Sequence, residues 1–99
     1  MIAKIHKTLE GRTILAVCDS NLKGKKFEQG ELQLDISSEF YAGKEIDEKE
    51  IKKLFKVVQI VNLVGKKSVE LGMKAGIVSK EFVLKVKGIP HAQGIVARE

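Results

Sequence analysis

Residues 2–8 alternate with a period of two, setting Ala3 and Ile5 on one side and Lys4, His6 and Thr8 on the other, which predicts a strand. Residues 9–12 make a Gly-bearing connection of hairpin length. Residues 13–18 are almost wholly apolar and rich in β-branched types, so they read as a strand buried on both faces in the middle of a sheet. Asp19, Ser20 and Asn21 punctuate that run, and residues 21–30 form a polar stretch with two glycines. Residues 31–36 alternate without a break and predict a strand with one wet face. The first third of the chain therefore reads as a small antiparallel sheet.

The next boundary is sharper. Asp47 and Glu50 are spaced as an N-cap and the third residue of a helix, with Ile46 and Ile51 placed as a hydrophobic staple. Beyond them Ile51, Leu54, Phe55 and Val58 recur as one stripe of an amphipathic helix. The β-branched cluster that follows predicts a short strand near residues 58–61. Asn62 then reads as the N-cap of a second helix over residues 63–75. Its inward residues are Val64, Leu71 and Ala75, Ser68 and Gly72 allow close approach, and Gly76 serves as a left-handed C-cap. In the tail, residues 82–87 and 93–97 suit strands, with residues 88–91 between them as a turn stiffened by Pro90. The order βββ-α-β-α-ββ predicts an α+β fold, two helices covering one face of a mainly antiparallel sheet. The most buried side chains should include Leu15, Val17, Leu34, Leu54, Phe55 and Leu71.

At 99 residues the chain has the size of one domain, residues 1–99, and no glycine-rich phosphate fingerprint follows a strand. No apolar run is long enough to cross a bilayer and no leader pattern opens the sequence. With a single cysteine, Cys18, the chain can form no internal disulfide, which suits a reducing cytoplasmic setting. Charge changes the picture more. Residues 1–48 carry a net −2 and residues 49–99 a net +7, so an acidic half adjoins a basic half.

Most of the candidate chemistry lies in that basic half. Lys49, Lys52, Lys53 and Lys56 recur at helical spacing beside the apolar stripe, Lys66 and Lys67 open the second helix, and Lys85 and Lys87 share a strand face. Such lines suit sequence-independent contact with phosphates. The alternative is a solvated helix face, but Glu50 is the only acid between Lys49 and Lys67. His91 follows Pro90 in a stiff loop and is the candidate general acid or base, with Cys18 or Asp19 as its partner if the fold joins them. The competing readings are a structural histidine and a small core cysteine. No spacing of histidine and cysteine suggests a metal site, and no cofactor is indicated. Phe40 and Tyr41, in the loop of residues 37–43, either lid the core or present a docking surface.

These segments resemble an archaeal family known as DUF424. The resemblance rests on Lys4-Ile5-His6-Lys7, Glu10-Gly11-Arg12, Val17-Cys18-Asp19, Ser37-Ser38-Glu39-Phe40-Tyr41, Asn62-Leu63-Val64-Gly65 and Gly88-Ile89-Pro90-His91-Ala92-Gln93, and it spans the whole chain. Members often carry a glycine where this chain has Ala42, and often end soon after the His-Ala-Gln step, where residues 94–99 extend this one. The resemblance implies an archaeal, cytoplasmic protein with no assigned activity and, by analogy with small archaeal domains, a place in translation. The expected function is contact with RNA or a ribonucleoprotein through the lysine-bearing side. The alternatives are a small enzyme built on His91 with Cys18 or Asp19, and an interaction module docking through residues 37–43. A homo-oligomer is neither required nor excluded.

Overall fold

Strands Ile2–Lys7 (β1) and Thr13–Cys18 (β2) form an antiparallel hairpin in the register Ile2↔Cys18 to Lys7↔Thr13. In the computed structural model, which describes residues 1–96, the other elements build outward from this pair. Lys26–Gln29 (β3) and Leu32–Asp35 (β4) make a second hairpin that forms its own two-stranded sheet. Lys44–Glu45 (β5) lies on the outer edge of β1. Helix Glu48–Phe55 (α1) leads to Ile60–Val64 (β6), helix Lys66–Lys74 (α2) to Leu84–Val86 (β7), and Ile89–Ile95 (β8) closes the order. The main sheet runs β5-β1-β2-β6-β8-β7. Only β2 and β6 pair in parallel among the described strands. The expected α+β class and mainly antiparallel sheet are what the structure has.

Each face of the main sheet has its own cover. Leu15 and Val17 of β2, Val61 and Leu63 of β6 and Ala92 of β8 pack against Ile51 and Phe55 of α1 and Val69 and Leu71 of α2. On the other side Ile2, Ala16, Cys18 and Val64 lie beneath Leu34 and Ile36 of the β3–β4 segment and Tyr41. The uninterrupted apolar run of β2 follows from this, since both its faces are covered. Asp47 caps α1 as expected, its Oδ1 accepting from the Glu50 N–H at 2.9 Å.

Several boundaries differ from expectation. The polar stretch 21–30 contains β3, because β4 needs a partner for its backbone groups. The strand expected near 58–61 runs to Val64, so Asn62 is a strand residue rather than a helix cap. The helix itself starts after Gly65, and Ala75 is exposed. Phe82 lies in a 3-10 turn, 72 % exposed, ahead of β7. The β7–β8 turn is made by Lys87 and Gly88, both at positive φ, so Ile89, Pro90 and His91 already belong to β8 and the tail strand ends at Ile95. Residue 97 lies outside the described residues. Leu15, Val17, Leu34, Phe55 and Leu71 are buried, but Leu54 is only half-buried and Ile5 is 49 % exposed.

Candidate functional site

The lysines along α1 are exposed, and they have acids within reach. Lys52 meets Glu48 at 3.5 Å and Lys53 meets Glu50 at 3.6 Å, both along the helix. Glu48 lies just before the window in which Glu50 was the only acid, so the expected shortage of partners does not hold for this stripe. Lys49 is exposed at the helix start. Lys52, Lys56 and Lys74 line one hollow with Phe55, so the cationic positions of α1 and α2 adjoin. Lys67 lines another with Lys74 and Glu70, and Lys74 pairs with Glu70 at 3.4 Å. Exposed pairs of this kind contribute only about 0.3–0.5 kcal/mol each and leave a lysine free to exchange partners.

A different set of lysines converges. Lys66 at the start of α2, Lys80 in the 3-10 turn before β7 and Lys85 of β7 line a groove of about 620 Å³ with the apolar Val69, Met73 and Ile89 and with two acids, Asp19 and Glu70, of which Glu70 pairs with Lys74. None of the three lysines has an ion pair among the described residues. Sequence reading included Lys66 and Lys85 but missed Lys80, which only the 3-10 turn brings to the others. Lys87 stands apart in the turn after β7.

Asp19, one of the candidate catalytic partners, lines the same groove but is already committed. It is 7 % exposed, and its carboxylate accepts from the Lys67 N–H at 3.0 Å, the Ser68 N–H at 2.8 Å and the Ser68 hydroxyl at 2.7 Å. It thus caps α2 from the end of β2, because Gly65 at the cap position has no side chain. A side chain there would collide with the Asp19 carboxylate, and Gly65 has φ +107°. The positive end of α2 is thereby neutralised from within.

His91 lies on the hairpin side of the sheet. Its Nε2 donates to Asn62 Oδ1 at 3.1 Å, and the Tyr41 hydroxyl donates to the same oxygen at 2.7 Å. His6 Nε2 donates to the Phe40 carbonyl at 2.8 Å and its ring stacks on Phe40, with centroids 4.5 Å apart. Tyr41 is 8 % exposed and Phe40 half-buried, so loop 37–43 is a lid. Stretches that carried the family resemblance thus meet in one place. Asn62 and Tyr41 were missed as partners because they are 21 residues apart and no local pattern links them.

The catalytic alternative loses both its partners. Cys18 shares a cross-strand row with His91, but Val64 stands between them. The thiol is fully buried and burial pushes its pKa up to about 11, so it is no nucleophile near neutrality. Among the described residues no three acidic, histidine or cysteine side chains gather to hold a metal, and no helix is long and apolar enough to cross a membrane.

Burial holds the His91 imidazole below its ordinary value of 6.5. Because the folded value is the lower one, the unfolded chain takes up the proton first. Stability is therefore complete above about pH 6.5 and falls as pH drops through the folded value. Urea midpoints should decline as pH drops below about 6.5, and His91→Gln, which keeps an N–H donor, should flatten that decline. An unchanged slope would show the imidazole is not the group responsible.

No curated protein matches the chain. Among solved structures it resembles an uncharacterised conserved protein from Methanopyrus kandleri, with a TM-score of 0.78 and 27 % identity over 99 % of this chain and 93 % of that one. Residues 6–96 match the family described as "Protein of unknown function (DUF424)". The stretches meeting around Asn62 and the lysine groove are thus features of a member: the chain belongs to the DUF424 family.

Proposed function

We propose that this protein contacts RNA through its lysine-bearing side, centred on the groove of Lys66, Lys80 and Lys85. The observation that carries this reading is the convergence of three lysines from three elements, without ion pairs among the described residues, on one concave surface. Between residues 48 and 87 there are ten lysines against four glutamates, so the paired lysines of α1 and α2 still leave an excess of positive charge. Like charges held together raise one another's free energy, and a polyanion relieves that while releasing its own counterions. Lys49, Lys52, Lys53 and Lys56 extend the same field along α1, with Lys67 and Lys87 at its margins. In this reading the protein works in an archaeal cytoplasm, beside the translation machinery, on RNA or a ribonucleoprotein.

Each lysine that meets a phosphate of single-stranded RNA contributes about 0.7 to the slope of log affinity against log salt. The variant with Lys66, Lys80 and Lys85 replaced by glutamine should lose about 2 from that slope and bind roughly a hundredfold more weakly at 0.1 M salt. The three residues are exposed, so folding should be untouched. Filter binding with bulk cellular RNA provides the measurement. Equal retention of both proteins, or of neither at low salt, overturns the proposal.

A further inference from the structure

We infer that the hairpin-side face of the sheet around Asn62 and His91 is a nucleobase-reading site, reached along β8 from the lysine groove. This deepens the RNA reading, and rests on it only for the identity of the polymer that brings the base.

Strand alternation sets the arrangement. Ile89, His91 and Gln93 all project to the hairpin side of β8, while Ala92 packs on the helix side. Ile89 lines the groove. Two residues along an antiparallel strand is about 7 Å, so His91 is one short step from the cationic surface. Gln93, exposed, is the register partner of Asn62. Leu84, opposite His91 in register, is 56 % exposed, and Ile95 beyond Gln93 is 77 % exposed. The lid of residues 39–41 and the β3–β4 hairpin cover the remainder of this face, so these residues border an open strip.

The polar groups on that strip have capacity to spare. Asn62 Oδ1 is filled by Tyr41 and His91, which fixes the amide and leaves its Nδ2 donor without a partner among the described residues. With Nε2 donating to Asn62, His91 Nδ1 is an acceptor, also without a partner among them. Neither atom is sealed from solvent, since among the described residues no buried side-chain nitrogen or oxygen is left unsatisfied. Burial keeps the imidazole neutral at pH 7, so the acceptor persists. A fixed amide donor, a fixed imidazole acceptor and the exposed Gln93 amide suit the edge of a planar base, which offers donors and acceptors side by side. The flanking apolar side chains suit its faces. The cation in the row of Asn62, Lys4, is engaged: it donates to the Glu39 carbonyl at 2.9 Å. The phosphate contacts thus belong to the groove and the base contacts to the strip.

The test uses nucleosides, which carry no phosphate and so do not probe the groove. Adenosine, cytidine, guanosine and uridine are titrated separately, at millimolar concentration and pH 8, into the full chain. The Asn62 and Gln93 side-chain amide resonances and the His91 ring resonances are followed by NMR. At least one nucleoside should shift them saturably. Asn62→Asp keeps the oxygen that accepts from Tyr41 and His91 but removes the donor, so it should stay folded and bind that nucleoside at least tenfold more weakly. No shift from any nucleoside overturns the inference, and so does equal binding by a folded Asn62→Asp chain. Should Asn62→Asp not fold, Gln93→Ala, at an exposed position, decides: a severalfold loss supports the site and unchanged binding overturns it. Nucleoside shifts in a chain that retains no bulk RNA would sink the groove and leave the base site standing. RNA retention without nucleoside shifts would do the reverse.

Discussion

Asp19→Ala should lower stability by about 3 kcal/mol, more than an ordinary capping residue at about 1 kcal/mol. The substitution leaves the Lys67 and Ser68 N–H groups without their acceptor and strips the hydroxyl of Ser68, a residue 1 % exposed, of its partner. It also removes a negative charge from the positive end of α2. Asp19→Asn retains one acceptor oxygen and should fall between the two. Chemical denaturation of the three proteins at pH 7 provides the comparison. A loss below about 1 kcal/mol for Asp19→Ala would show that water replaces the carboxylate at no great cost, and that the cap is ornamental.

The second large effect is a coupling. Leu63, fully buried at the centre of β6, lies directly over Gly72 of α2, so that a methyl group added to Gly72 would overlap its Cδ1. Leu63→Ala should cost about 3 kcal/mol through lost burial and the cavity left behind. Gly72→Ala should cost about 1–2 kcal/mol, because overpacking against Leu63 and Val78 outweighs the gain in helix propensity. In the double variant the new methyl enters the space that Leu63 vacates, so the combined loss should fall short of the sum by about 1 kcal/mol or more. Strict additivity would mean the helix shifts as a body and that this close approach does not seat α2 on the sheet.

How much was legible depended on how local the cause was. The start of α1 could be read from Asp47, Glu50 and the flanking isoleucines, because cap and staple are neighbours in sequence. The central place of β2 followed from its apolar run. The start of α2 could not be read in the same way: Asn62 has the right chemistry for a cap, but the true cap is Asp19, 48 residues before the Lys67 N–H that it holds. Gly65 was the available clue, a residue without a side chain at the position where the helix actually starts. The lysines along α1 are exposed as read, but the expected shortage of acidic partners did not hold, since Glu48 sits one turn before Lys52. Lys80 was invisible because a 3-10 turn, not a strand or helix period, brings it to the groove. The Tyr41–Asn62–His91 cluster required the register of β2, β6 and β8, which no single segment encodes.

The parallel pairing of β2 with β6 also implies an expected order of folding. The β1–β2 and β7–β8 hairpins close short turns, events on the scale of about 1–10 μs. Joining them at the middle requires Thr13 and Gln59, 46 residues apart, to find each other with the β3–β4 hairpin and α1 looped out between them. That closure loses entropy before any contact returns it, so the rate-limiting barrier belongs at this seam. Early formation of α1 shortens the span to be searched. The Asp19 clasp on α2 joins elements from the two sides of the same seam, and can lock only after the seam has closed.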